Sequence, residues 1–379
     1  MDKVMRKIQM VDLKGQYEKI KTEIDAAIQH VLESTAFING PEVKEFAWDL
    51  EHYLGVKHVI PCANGTDALQ ISMMALGLKP GDEVITADFT YVATAEVIAL
   101  LGLQPVLVDV NADTFDIDVN AVEKAITPKT KAIVPVHLFG QCADMERIQA
   151  LAKKHNLFVI EDVAQAIGAD YTFTNGIKKK AGTIGTIGCT SFFPSKNLGC
   201  YGDGGALFTN DDNLAKTCRM IANHGQSVQY IHDSIGVNSR LDSIQAAILR
   251  IKLKHLDEYA HSRNKVAALY DAAFSNNIRL QIPARAKNST HVFHQYTLQL
   301  NGLDRTKLKE HLTLKEIPAM IYYPIPLHLQ KAYSNERYKQ GDFPVTERLC
   351  NSVLSLPMHT ELDTETVRYI TDSVLEFVN

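Results

Sequence analysis

No two cysteines in this chain are spaced C-x-x-C; the six present (Cys62, Cys142, Cys189, Cys200, Cys218 and Cys350) are scattered over 379 residues. Usage this thin excludes a disulfide framework and suits reduced thiols, so a cytoplasmic setting is expected. Close histidine pairs are also scarce. His291 and His294 form the one such pair, and no second ligand pair accompanies it, which argues against a zinc site. Hydrophobic runs are short: the most apolar long stretch, residues 92–108, contains Glu96, Gln104 and Pro105 and makes a poor membrane span. The opening MDKVMRKIQMVDLKG has no apolar segment of the kind a signal peptide needs. Basic clusters are missing beyond Lys178-Lys179-Lys180, and the net charge is -5. Nucleic acid is therefore excluded as the main partner, because neutralising phosphates takes clustered Lys and Arg. No internal repeat or low-complexity tract is present.

What remains is an ordinary soluble composition, 46% hydrophobic and 22% charged. A chain of 379 residues exceeds one ordinary core, so two domains are expected. Between about residues 55 and 210, short β-rich runs (58–61, 83–86, 104–110, 132–137 and 157–162) alternate with helical stretches such as 66–77 and 144–155. That alternation predicts an α/β fold with a mostly parallel central sheet covered by helices, and such sheets bind ligands at the carboxyl ends of their strands. A long helical region, 242–274, follows. Beyond it the pattern changes to a strand at 294–300, a helix at 305–312, and a strand at 317–326 running into a proline-bound loop. The predicted division is a larger domain over 1–250 and a smaller α+β domain over 251–379. Residues 172–182 read as an exposed polar hairpin or loop.

Three segments carry chemistry. In HVIPCANGTDALQISMMALGL (58–78) a strand passes through Asn64-Gly65-Thr66 directly into a helix. Free amides at such a start suit an anion, although an ordinary N-cap explains the same residues. The stretch has neither a Walker loop nor a G-x-G-x-x-G fingerprint. In LFVIEDVAQAIGA (157–169) a buried-type strand ends on Glu161-Asp162, with Gln165 three residues later. One acid can face a ligand and the other cap a helix; the sequence does not apportion them. In SFFPSKNLGCYGDGG (191–205) Lys196 lies between two phenylalanines and a glycine-dense turn. Desolvation there lowers a lysine towards the neutral amine that attacks a carbonyl, whereas most lysines simply extend to solvent. The glycines favour the first reading, as residues that let backbone approach a ligand. A phosphate-ready helix start, a strand-end acid and a lysine together form the set that pyridoxal 5′-phosphate requires.

The runs CANGTDAL, FTYVATAE, IEDVAQAIGA, SFFPSKNLGCYGDGGA and GVNSRLDSIQAAIL, in that order, resemble the DegT/DnrJ/EryC1/StrS sugar aminotransferases over essentially the whole chain. The resemblance implies the aspartate-aminotransferase-like fold (fold type I) and pyridoxal 5′-phosphate as cofactor. It implies that Lys196 bonds the cofactor aldehyde, that Asp162 faces the pyridine nitrogen and that Gln165 lies near the ring oxygen. Gly65, Thr66 and Ser191 match phosphate-binding positions, and Tyr91 matches the residue that stacks on the ring. Asn238 matches a residue reaching the phosphate from a neighbouring subunit, so a homodimer with shared sites is expected. His224 fits a recurrent segment without an assigned role.

The implied reaction moves an amino group, with glutamate the expected donor, to a keto nucleotide sugar used in cell-surface polysaccharide synthesis. Family dehydratases carry histidine at the lysine position, so Lys196 disfavours that alternative. A regulatory or binding protein keeping only the fold is the alternative of another class. Within the family the chain looks most like the branch acting on UDP-2-acetamido-2-deoxy-3-oxo-glucuronate. For its carboxylate Arg240 is the expected partner, unless it pairs with Asp242, and Tyr323 is the expected hydroxyl donor. Some uronate-specific relatives have histidine where this chain has Tyr322, which leaves neutral 3-keto or 4-keto UDP- or dTDP-hexoses as the alternative.

Overall fold

In a computed structural model, residues 7–334 and 336–378 are described, and the first six residues of the expected amino-terminal arm lie outside them. Nine strands precede residue 210: β1 (His58–Cys62), β2 (Glu83–Ala87), β3 (Gln104–Val108), β4 (Thr130–Val134), β5 (Phe158–Asp162), β6 (Asp170–Thr172), β7 (Lys178–Lys180), β8 (Ile187–Ser191) and β9 (Gly205–Thr209). Seven of them form one sheet in the order β1-β9-β8-β5-β4-β2-β3. β9 runs antiparallel to both its neighbours, and the other pairings are parallel. The carboxyl ends of β1, β2, β5 and β8 therefore share one edge of the sheet. β6 and β7 pair as the hairpin expected near residues 172–182.

Strand bounds follow backbone donors. The expected strand at 132–137 appears as Thr130–Val134, because Pro135 has no N–H to continue the ladder. The helical region at 242–274 is two helices, Ser243–Lys254 and Leu256–Phe274, parted at His255. The first packs on helices Leu13–Ser34 and Pro41–Leu54. The second opens a separate core with Tyr270, Phe274, Tyr296, Leu308 and Leu354. Its sheet joins β12 (Leu280–Gln281), β13 (Tyr296–Leu300) and β14 (Val353–Leu356); an exposed hairpin of β10 (Gln226–Val228) and β11 (Ile231–His232) lies earlier in the chain.

Two features depart from the sequence reading. Residues 317–326 form no strand: three prolines in ten residues remove ladder donors, and Met320 alone bridges to Ser355. The chain also crosses between the cores. Ile8 packs in the smaller one, while Leu349, Cys350 and Val353 pack in the larger one. Among the described residues, no helix is long and apolar enough to cross a membrane.

Candidate active site

A cavity of about 830 Å³ opens at the shared strand edge, within the size range of small-molecule sites. Gly65, Thr66, Tyr91, Asp162, Gln165, Ser191, Lys196, Tyr322 and Tyr323 all line it. Nine of the eleven expected site residues are thus brought together. Asn238 and Arg240 are not among them.

The carboxylates are apportioned by neighbours that the sequence does not reveal. Glu161 turns away from the cavity, where it accepts hydrogen bonds from the amides of Gly182, Ile184 and Gly185 and meets His137 Nε2 at 2.9 Å. Asp162 faces the cavity. Its Oδ2 accepts from Thr94 Oγ1 at 2.9 Å and its Oδ1 from the Ala164 amide at 3.1 Å, which fixes the carboxylate's plane. Three residues after Asp162, Gln165 accepts from the Phe139 amide at 2.8 Å and donates from Nε2 to the Tyr323 hydroxyl at 3.1 Å. That hydroxyl keeps its own proton for another acceptor.

Lys196 lies in a loop folded tightly on itself: its amide donates to the Phe193 carbonyl, and the Cys200 amide to that of Phe192. Phe192 is fully buried against Phe46, whereas Phe193 is exposed at the cavity mouth. The glycines serve a different purpose from the expected one. A Cβ on Gly199 would fall 2.3 Å from the Pro194 carbonyl oxygen, and one on Gly205 would fall 2.4 Å from the Asn64 backbone. They let the chain approach itself, and so hold the lysine loop against the start of helix Gly65–Ala75. Burial of the Lys196 ammonium lowers its pKa to about 8, against a smaller opposing pull from Asp162. Near neutrality this amine both takes up and releases a proton.

The helix start is built for an anion. Asn64 caps it by accepting from the Asp67 amide at 2.8 Å, and Asp67 in turn accepts from Ser239 Oγ at 2.6 Å. Among the described residues the amides of Gly65 and Thr66 take no partner, and the hydroxyl-bearing Ser191 touches the same turn. The buried Thr190 hydroxyl on the cavity wall also lacks a partner. A carboxylate, a lysine of lowered pKa and unpaired donors at a helix start fit pyridoxal phosphate on its ring, aldehyde and phosphate sides respectively.

Sequence reasoning missed His294 and Thr94. His294 lines the cavity with Nδ1 unpartnered, and burial, then Lys196 and Arg263, hold it well below the usual histidine range, hence neutral. Its neighbourhood is fixed by buried Arg263, which donates to the carbonyls of Phe293 and Met358. HVFHQY was the available signal, but a histidine at a strand entrance discloses no partner. Outside the cavity, Asn238 is exposed and Arg240 half-buried. Arg240 makes no hydrogen bond or ion pair among the described residues, so the expected alternative pair with Asp242 does not form.

The pattern of the DegT/DnrJ/EryC1/StrS aminotransferase family matches residues 18–375. The chain is 49% identical over 363 residues to a UDP-2-acetamido-2-deoxy-3-oxo-D-glucuronate aminotransferase of Pseudomonas aeruginosa, covering 96% of this chain and 98% of the other. It is 48% identical to a pleiotropic regulatory protein of Geobacillus stearothermophilus, with 98% of each covered. A UDP-N-acetyl-3-dehydro-alpha-D-glucosamine 3-aminotransferase of Acidithiobacillus ferrooxidans is 45% identical, with 96% of each covered. Among solved structures, Streptomyces venezuelae DesV in complex with a ketimine intermediate superposes with a TM-score of 0.94 at 39% identity, over 99% of both chains. NtdA of Bacillus subtilis with bound cofactor PMP gives 0.90 at 30% identity, over 100% of this chain and 86% of the other. The chain belongs to the DegT/DnrJ/EryC1/StrS aminotransferase family and has its fold type I architecture.

Proposed function

We propose that this aminotransferase uses pyridoxal 5′-phosphate to move an amino group from glutamate to UDP-2-acetamido-2-deoxy-3-oxo-glucuronate, in the cytoplasm, for a cell-surface polysaccharide such as lipopolysaccharide. The observation that carries the reading is the placing of Lys196, Asp162 and the free amides of Gly65 and Thr66 on one cavity. When bound, the cofactor supplies an aldehyde that carries the amino group and a ring that accepts an electron pair. The chain supplies the rest. Asp162 would hold a proton on the ring nitrogen, the helix start and Ser191 would hold the phosphate, and Tyr91 would cover the ring. Lys196 would bind the aldehyde and, as an amine whose pKa lies near neutrality, would hold or move a proton there. Gln165 and Tyr323 set hydrogen bonds along the ring's oxygen side.

Two residues outside the cavity support a shared site. Asn238 and unpaired Arg240 lie beyond their own cavity, beside a hairpin segment whose Tyr230, Ile231 and Ile235 are all more than half exposed. A second copy would cover this apolar surface and receive both polar groups. Lys196→Ala and Asn238→Ala chains, each impaired alone, are therefore expected to recover activity when mixed, since one site per mixed dimer is intact. No recovery after confirmed subunit exchange would contradict the shared site.

The substrate reading rests on the P. aeruginosa relative's name and on Arg240, whose free guanidinium suits a carboxylate. The A. ferrooxidans relative is named for an uncharged sugar, and Tyr322 supplies no positive charge, so the matching neutral 3-keto sugar is the second reading. Turnover of the keto uronate against that neutral sugar decides between them. Arg240→Ala is expected to weaken uronate binding by roughly 1.5–3 kcal/mol and to leave the neutral sugar nearly unaffected. Equal turnover of both sugars, with no selective loss in Arg240→Ala, would overturn the uronate assignment.

A further inference from the structure

Behind the cavity wall lies a buried carboxylate–histidine hydrogen bond that joins two distant parts of the chain. Asp88 directly follows β2, and its side chain and that of His328 are wholly enclosed. The Asp88 carboxylate accepts from the His328 amide at 2.8 Å and meets His328 Nδ1 at 2.6 Å. Its own carbonyl accepts from the Leu327 amide at 3.3 Å. One residue thus holds its partner segment at three points. On its far side, His328 Nε2 lies 3.3 Å from Glu347.

The segment so held carries part of the site. Residues 321–326 span between this pair and the Met320–Ser355 bridge, and include Tyr322, Tyr323 and two prolines that donate nothing. Tyr323 meets Gln165 through its hydroxyl, and its ring packs edge-on to Phe89 at 6.0 Å and near Tyr91 at 6.3 Å. Phe89 directly follows Asp88, and Tyr91 lies three residues after it. The same carboxylate therefore stands at the base of both aromatic walls, which pack on one core.

We propose that Asp88 and His328 are positioning residues, a clamp that fixes the Tyr323 hydroxyl on Gln165 and so sets the oxygen side of the cofactor site. Neither touches the cavity, so the pair acts through the segment it holds. A buried pair adds little net stability, but it selects one arrangement of the segments it joins, and removing one partner leaves the other buried and unpaired. The inference rests on the reading of the cavity as the aminotransfer site.

The test uses the full-length holoprotein. His328→Asn keeps a donor on Cγ close to the place of Nδ1, His328→Leu keeps bulk without a donor, and Asp88→Ala removes the acceptor. With 3-fluorotyrosine placed at position 323, the fluorine resonance is expected to be unchanged in His328→Asn, and shifted or broadened in His328→Leu and Asp88→Ala. Rates with the keto sugar should stay within threefold in His328→Asn and fall at least tenfold in the other two. The Asp88→Ala loss should largely vanish in a Tyr323→Phe background, because coupled residues are non-additive. A resonance that does not move in His328→Leu or Asp88→Ala, equal losses in both His328 variants, or an additive double variant would each overturn the clamp. The resonance needs no turnover, so it decides the clamp even where the substrate reading fails.

Discussion

Replacing Lys196 by alanine is expected to abolish the visible absorbance of the cofactor-loaded protein and to slow aminotransfer by at least about a thousandfold, within the span that a positioned acid–base group contributes. In the proposed reaction the same residue both bonds the aldehyde and moves the proton, so no neighbour replaces it. His294 is kept neutral and Tyr323 is kept protonated by burial, and neither is an amine. The fold itself should be unharmed. Burial opposes the lysine's charge, with a pKa of about 8 in the folded chain against an ordinary value of 10.5. Between those values this group binds more protons in the unfolded apoprotein than in the folded one, so Lys196 contributes a rise of stability with pH across that window. In Lys196→Ala that contribution should be missing while the one from buried Lys252 stays, so the change in thermal stability from pH 8 to pH 10 should be less positive in the variant apoprotein than in the native one. Retained absorbance and turnover in the variant would refute the assignment.

Asp162→Asn is expected to lower turnover by roughly 10²–10³-fold, the range for losing one preorganised electrostatic contact. An amide has one acceptor oxygen where the carboxylate has two, and both carboxylate oxygens are engaged, by Thr94 and by the Ala164 amide. The substitution therefore removes the negative charge opposite the ring nitrogen and also leaves one of two buried donors unpaired. Thr94→Val separates these effects. It removes one hydrogen bond and keeps the charge, so its cost should be near 1 kcal/mol, or about fivefold. The cofactor should still attach in both variants, through Lys196 and the helix start, and absorbance should report that attachment. Comparable losses in the two variants would mean that Asp162 matters for packing rather than for its charge.

How far the sequence discloses this site depends on the range of the contacts that build it. Lys196 and the turn at Asn64-Gly65-Thr66 are legible because their signals are local: a strand end, a cap, a cluster of glycines. Even there the reason was partly misread, since Gly199 and Gly205 admit the chain's own backbone rather than a ligand's. Glu161 and Asp162 could not be told apart, because adjacent strand residues face opposite ways and only the amides of residues 182–185 show which side is which. The long helical region was foreseen, but not its break at His255. Residues 317–326 have a β-rich composition that predicts a strand, but Pro318, Pro324 and Pro326 take three ladder donors out of the backbone. Asp88 and His328, 240 positions apart, left no local trace at all. The regulatory name of the G. stearothermophilus relative is equally invisible in composition. What separates the two readings is the retained Lys196 and Asp162, which a protein that only binds does not require.

The most direct test of the account is a half-reaction. Purified protein loaded with pyridoxal phosphate is mixed with glutamate alone, and visible absorbance and 2-oxoglutarate are followed together. The account predicts loss of the visible band, one 2-oxoglutarate released per site, and return of the band when the keto nucleotide sugar is added. A band that persists in excess glutamate, with no 2-oxoglutarate formed, would contradict the proposal that glutamate is the donor at the Lys196 site.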